Sequence, residues 1–158
     1  MSENLELIRT KLGHLSRMRE YLTYSHTQVS PLMPLDDWSR LSQDQHESLA
    51  AFRVRFSEFQ EHLGKAMRSV AIEEEVDVDR FGSVLAFMER LRVIDSVDQW
   101  KLIRELRNAV NHEYEDNEHR LREFFTAMAA QTHVLQGFLE RLVAFSRQAY
   151  PQAFGELT

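Results

Sequence analysis

The chain has 158 residues, 43% of them hydrophobic, which is one domain's length with enough apolar content to fill a single core. It has no cysteine, which removes disulfides, thiolate metal sites and cysteine nucleophiles together and fits a reducing compartment. A formal charge of −6 argues against a generally basic nucleic-acid coat, so any anionic ligand has to be held at one local basic site.

Five glycines and three prolines are scattered along the chain, so few turns are signalled and long helices are expected. The opening MSENLELIRTKLGH lacks the apolar core of a signal peptide, and no run approaches the roughly 20 apolar residues that cross a bilayer. The expectation is a soluble, cytoplasmic protein with no membrane association. From Asn4 to Tyr24, Leu5, Ile8, Leu12, Leu15 and Leu22 recur at helical spacing among charged residues, which predicts an amphipathic helix. Ser25 to Leu41 contains SPLMPLDD, and its two prolines predict a loop. Ser42 with Gln45 forms a capping box ahead of one long helix carrying Leu49, Phe52, Phe56, Phe59, Leu63 and Val70. The acidic end EEEVDVD leads to a short apolar helix from Phe81 to Val93, and Ser96 with Gln99 makes a second capping box. Asn117 or a neighbour caps the last helix, about Glu118 to Gln148, with Leu121, Phe124, Met128, Leu135, Phe138 and Leu142 on one stripe and Pro151 beyond its end. The pattern predicts an all-α protein, an antiparallel bundle of about five helices in one domain spanning 1–158.

Between the second capping box and the last helix runs RELRNAVNHEYEDN, Arg104 to Asn117. On a helical wheel Leu102, Ile103, Leu106, Ala109 and Val110 share an arc of roughly 120° that faces a core. Lys101, Arg104, Arg107, Asn108, Asn111 and His112 fall opposite them within roughly 140°. That polar face offers donors suited to phosphate: arginine is a permanent planar cation that grips two phosphate oxygens, and histidine exchanges a proton near neutral pH. Spacing alone carries little weight, because an arginine followed by histidine at a similar distance also occurs at Arg9 and His14, Arg19 and His26, Arg40 and His46, and Arg55 and His62. Only Arg107 is followed by asparagine, and only His112 is preceded by asparagine and followed two positions later by tyrosine.

The string RNAVNHEY resembles the R-x-x-x-x-H motif of the HEPN superfamily, and more narrowly the R-x-x-x-x-H-x-Y form of HepT-like toxins, partners of minimal nucleotidyltransferase antitoxins. The specific likeness covers Arg107 to Tyr114; the rest is a similarly sized helical bundle with its motif late in the chain. The resemblance implies a homodimer and metal-independent endoribonuclease activity with no cofactor, Arg107 and His112 being the catalytic residues. Asn108 corresponds to the polar residue that often follows the arginine, and Asn108 or Asn111 would position a phosphate or the imidazole. Arg104 and Lys101 would be solvated or would steer RNA. Tyr114 matches the tyrosine that the antitoxin can modify with AMP to silence the toxin.

Attack of a ribose 2′-OH on the adjacent phosphate needs a base, an acid and cationic stabilisation, and a two-fold dimer would bring two histidines and two arginines into one cleft. A structural reading competes at each position. Arg107 could pair with a helix carboxylate, His112 could cap the last carbonyls of its helix, and Tyr114 could pack at a helix junction. Two other functions stay open: a non-catalytic HEPN subunit that holds nucleotide or substrate for a nucleotidyltransferase, and a structural helical adaptor. DVDRFG fails as a calcium loop because Phe81 and Met88 stand where oxygen ligands belong. The run Glu73 to Glu75 reads as a solvated helix end, and the Phe52, Phe56 and Phe59 stripe as core or dimer interface.

Overall fold

The computed structural model describes residues 1–109 and 117–154 in full and the backbone of 110–112. The described residues form six α-helices and two short 3₁₀ turns, with no strand: α1 (Glu3–Val29), α2 (Gln43–Glu73), α3 (Phe81–Arg90), α4 (Val97–His112), α5 (Glu118–Ala149) and α6 (Pro151–Phe154). Among them no helix is long and apolar enough to cross a membrane.

The long helices α1, α2 and α5 carry the core. Ile8, Leu15 and Leu22 of α1 meet Phe52, Phe56, Phe59 and Leu63 of α2, all fully buried, and α5 closes the bundle with Phe125, Met128, Leu135 and Phe138. The buried aromatic of the first α5 turns is Phe125, not Phe124; Phe124 is only partly covered and has the Arg120 guanidinium 5.6 Å from its ring centre.

Helix α1 runs five residues past its expected end at Tyr24, because the added residues bury Ser25 and Val29. Ser25 Oγ accepts a hydrogen bond from Arg55 at 2.8 Å, and His26 Nε2 donates to the Ala129 carbonyl at 2.9 Å, so the added turn is tied to both α2 and α5. Pro151 lies just past the end of α5, as expected, and there begins α6, a single turn where proline's missing N–H costs nothing. Tyr150, Ala153 and Phe154 are buried there, and the Tyr150 hydroxyl donates to Glu74 Oε2 at 3.2 Å. Burial, and then the Glu74 carboxylate, push the Tyr150 phenol well above its ordinary range, which keeps it a donor. Glu73 in turn accepts from Asn4 Nδ2 at 3.1 Å, so the acidic run ties α1 and the C-terminal turn to the end of α2.

Both boundary signals of the long helices act as the sequence suggests. Ser42 Oγ accepts from Gln45 N at 3.1 Å while Gln45 Oε1 accepts from Ser42 N at 2.8 Å. Asn117 caps α5 through Arg120 N at 3.2 Å. The second box forms by half: Ser96 Oγ accepts from Gln99 N at 3.0 Å, but among the described residues Gln99 Oε1 has no hydrogen-bond partner; one residue further on, the N–H of Val97 donates to Glu89 Oε2 at 2.8 Å. Past its last turn α2 is closed by a left-handed residue, Glu75 at φ 60°, with Val76 N bonded back to Ala71 O at 2.9 Å. A side chain in that conformation costs roughly 1–2 kcal/mol, which glycine avoids at some loss of chain entropy. The Glu75 side chain is exposed. Glu75→Gly is therefore expected to raise stability by about 0.5–1 kcal/mol in chemical denaturation, and a loss of stability would contradict this account of the helix end.

Helix α4, which carries the motif arginine, is held by Trp100, Ile103 and Leu106, all buried against the bundle. Its core face is turned away from the one the aliphatic residues alone suggest: Leu102 is 47% exposed and Ala109 half-buried. The segment leading into α4 is fixed by Asp95, which accepts from Arg141 of α5 at 2.8 Å and 3.5 Å. The Arg141 hydrogen bond holds the Asp95 carboxyl below its ordinary range.

Candidate functional site

Turning α4 onto Trp100 sets Arg104 and Arg107 in a ridge beside it, since positions 100, 104 and 107 are one and two turns apart on the same face. Glu61, Lys65 and Arg68 repeat the same spacing on α2. The two ridges border a groove of about 340 Å³, lined also by Gln60 and Gly64 of α2 and by Phe81 at the start of α3. Among the described residues four cations and one carboxylate therefore line one concavity of an acidic chain.

Gly64 sets how closely the two walls approach. A Cβ at this position would lie 3.3 Å from Trp100 Cζ2 and 3.4 Å from Phe81 Cζ, so the indole packs where a side chain would otherwise stand. Glycine inside a helix costs about 1 kcal/mol relative to alanine, and close helix packing is the physical return here. Trp100 also packs obliquely near Phe81 and Phe138, at centroid distances of 6.5 and 6.3 Å.

The cations are largely unspent. Lys65 has Glu61 at 3.5 Å, an exposed pair that holds little energy. Among the described residues Arg68 and Arg104 form no ion pair or hydrogen bond. Arg107, half-buried, pairs with no carboxylate there either; its Nε and Nη2 donate to Asn108 Oδ1 at 3.3 and 3.0 Å. The neutral side-chain carbonyl fixes the guanidinium without cancelling its charge. Among the described residues two polar atoms on the lining residues also lack partners, Trp100 Nε1 and Gln60 Oε1, on residues only 1% and 3% exposed. Close, unpaired cations repel one another, and an anion in the groove relieves that repulsion.

Of the residues singled out in the sequence, the structure thus brings Arg104 and Arg107 into the groove and sets Asn108 against Arg107. Lys101 is exposed and not part of the lining. The side chains of Asn111 and His112, and the whole of Tyr114, lie outside the described residues. Lys65, Arg68, Gly64, Phe81 and Trp100 carry no motif that singles them out; the glycine inside α2 is the one local signal for them.

A wider concavity of about 530 Å³ gathers Arg9, His14 and Arg17 with Glu6, and RTKLGH repeats the arginine-to-histidine spacing of the motif. Among the described residues its lining, Met1 apart, belongs entirely to α1, so it is relief on one helix surface and not a groove between described elements. Among the described residues no three His, Asp or Glu side chains gather as a set of metal ligands. The chain matches no known protein family, no curated protein and no solved structure. The class the described residues define is an all-α bundle with a basic inter-helical groove.

Proposed function

We propose that the chain is a metal-independent endoribonuclease of the HEPN kind, a HepT-like toxin acting as a homodimer and neutralised by a nucleotidyltransferase antitoxin. The observation that carries this reading is that Arg107, the arginine of RNAVNHEY, lies half-buried, free of carboxylates among the described residues, in a groove with three further cations. A phosphodiester is the ligand this chemistry suits: guanidinium groups hold its oxygens in pairs and stabilise the charge that grows on them during attack.

In the proposed reaction the ribose 2′-oxygen bonds to phosphorus and the bond to the 5′-oxygen breaks. One His112 imidazole takes the 2′-hydroxyl proton, and the other protomer's His112, protonated, gives one to the leaving oxygen. The products are a 2′,3′-cyclic phosphate and a 5′-hydroxyl. Silencing follows if the Tyr114 oxygen attacks the α-phosphorus of ATP on the partner enzyme, releasing pyrophosphate. The AMP then sits two residues from His112 and competes with RNA phosphate for the same donors.

The test uses purified protein and a short RNA in excess chelator. Cleavage to cyclic-phosphate ends, abolished by a single 2′-deoxy substitution at the cut, is the expected result; intact RNA, or cleavage leaving a 3′-hydroxyl, would refute the mechanism. The second reading, a non-catalytic nucleotide-holding subunit, draws on the groove's being formed within one chain. Stoichiometric ATP binding with RNA left whole would favour it.

A further inference from the structure

We propose that the walls of the α2–α4 groove form a subsite for single-stranded RNA, in which Lys65 and Arg68 of α2 hold a phosphodiester next to the one served by Arg107. The choice of RNA as the ligand rests on the ribonuclease reading above; the anion-binding character of the groove rests on its own geometry.

Each wall is a row of side chains spanning two helical turns, which at 1.5 Å per residue extends about 10 Å. Within each row the two cations stand three residues apart, about 4.5 Å along the axis, Lys65 and Arg68 on one wall and Arg104 and Arg107 on the other, so positive charge borders the groove on both sides. Lys65 and Arg68 are exposed and Arg104 lies across from them on α4, so a backbone can be gripped from both sides. Phe81 is half-buried at the groove and is the lining aromatic on which a base would stack, whereas Trp100, 1% exposed, belongs to the floor. Among the described residues Glu61 is the one lining group that opposes an anion, and it does so from the end of the α2 row.

The experiment measures binding of the full-length protein to a fluorescent 2′-O-methyl oligoribonucleotide, which cannot be cut, across a salt series. Lys65→Ala with Arg68→Ala is expected to weaken binding by about 100-fold, roughly tenfold for each charge-assisted hydrogen bond removed. The slope of log affinity against log salt should fall by about 0.7, the value for the one phosphate that the pair neutralises on a single strand. Lys65→Arg, which keeps the charge, should bind as the unaltered protein does, and Glu61→Gln should bind more tightly. Both altered positions are at the surface, and an unchanged melting temperature shows that the substitutions impair binding and not folding. Affinity and slope unchanged in the double variant would overturn the subsite. So would ATP, or a glutamate polymer, displacing the oligonucleotide at equal concentration of charge. The two readings fail separately: weakened binding in the double variant while no RNA is ever cut supports the subsite and refutes the nuclease. Cleavage and binding untouched by the double substitution do the reverse.

Discussion

His112→Ala is expected to reduce the single-turnover rate of RNA cleavage by about 10²–10⁴-fold, the range for losing one proton-transfer group, while leaving oligonucleotide affinity within a factor of two or so. Arg107→Ala should lose about 10²–10³-fold, as for removal of one donor to a developing oxyanion, and should weaken binding as well, because its cation contributes before the reaction begins. Separation of the two variants by binding is the useful part: a histidine that merely capped its helix would give a small rate loss and a melting shift instead. If each cleft draws its base from one protomer and its acid from the other, a mixed dimer of unaltered and His112→Ala chains is as slow as the altered homodimer. Activity should then follow the square of the unaltered fraction, about a quarter at equal mixing of freely exchanging chains. A linear response would show that one histidine serves each cut.

The helices were legible because their signals are local. A serine three residues before a glutamine fixes where α2 starts, and the asparagine at 117 fixes where α5 starts. Core stripes at Phe52, Phe56, Phe59 and Leu63 need only the helical period. The rotation of α4 is where the aliphatic pattern misleads. Counting aliphatic residues centres its apolar face near Leu102, Leu106 and Ala109, but one indole buries more surface than several small side chains and drags the face toward Trp100. Leu102 is left 47% exposed, and Arg107 moves to the edge of the core.

The same rotation explains why half of the groove is invisible to sequence reasoning. Arg104 and Arg107 could be found because they lie in one stretch with an informative string. Lys65 and Arg68 sit far earlier in an otherwise ordinary amphipathic helix, and only packing brings them opposite α4. The faint trace they leave is Gly64, a poor helix residue placed where another helix must come close. Asn108 shows a further gap: its neighbour relation to Arg107 is plain in sequence, but the bonds that aim the guanidinium depend on side-chain rotamers that no spacing rule supplies.

Trp100 should consequently be the side chain on which both stability and the groove depend. Truncating a buried aromatic to alanine costs about 3–5 kcal/mol, a large share of the roughly 5–15 kcal/mol that holds a domain folded. For a chain of this size that is a fall in melting temperature of roughly 6–20 °C. Trp100→Phe should cost far less, because an aromatic ring is kept and the N–H it removes has no hydrogen-bond partner among the described residues. The specific claim about Gly64 is tested by a double-mutant cycle. Gly64→Ala gains about 1 kcal/mol in helix propensity but pushes a methyl to 3.3 Å from Trp100 Cζ2, where overpacking costs about 1–3 kcal/mol. In the Trp100→Phe background the nearest atom it meets is gone, only Phe81 Cζ at 3.4 Å is left in close contact, and the propensity gain remains, so Gly64→Ala should be better tolerated there by about 1 kcal/mol or more. Additive effects in chemical denaturation would mean that Gly64 does not seat the indole and that the approach of α4 to α2, and with it the pairing of Arg104 and Arg107 with Lys65 and Arg68, is set by other residues.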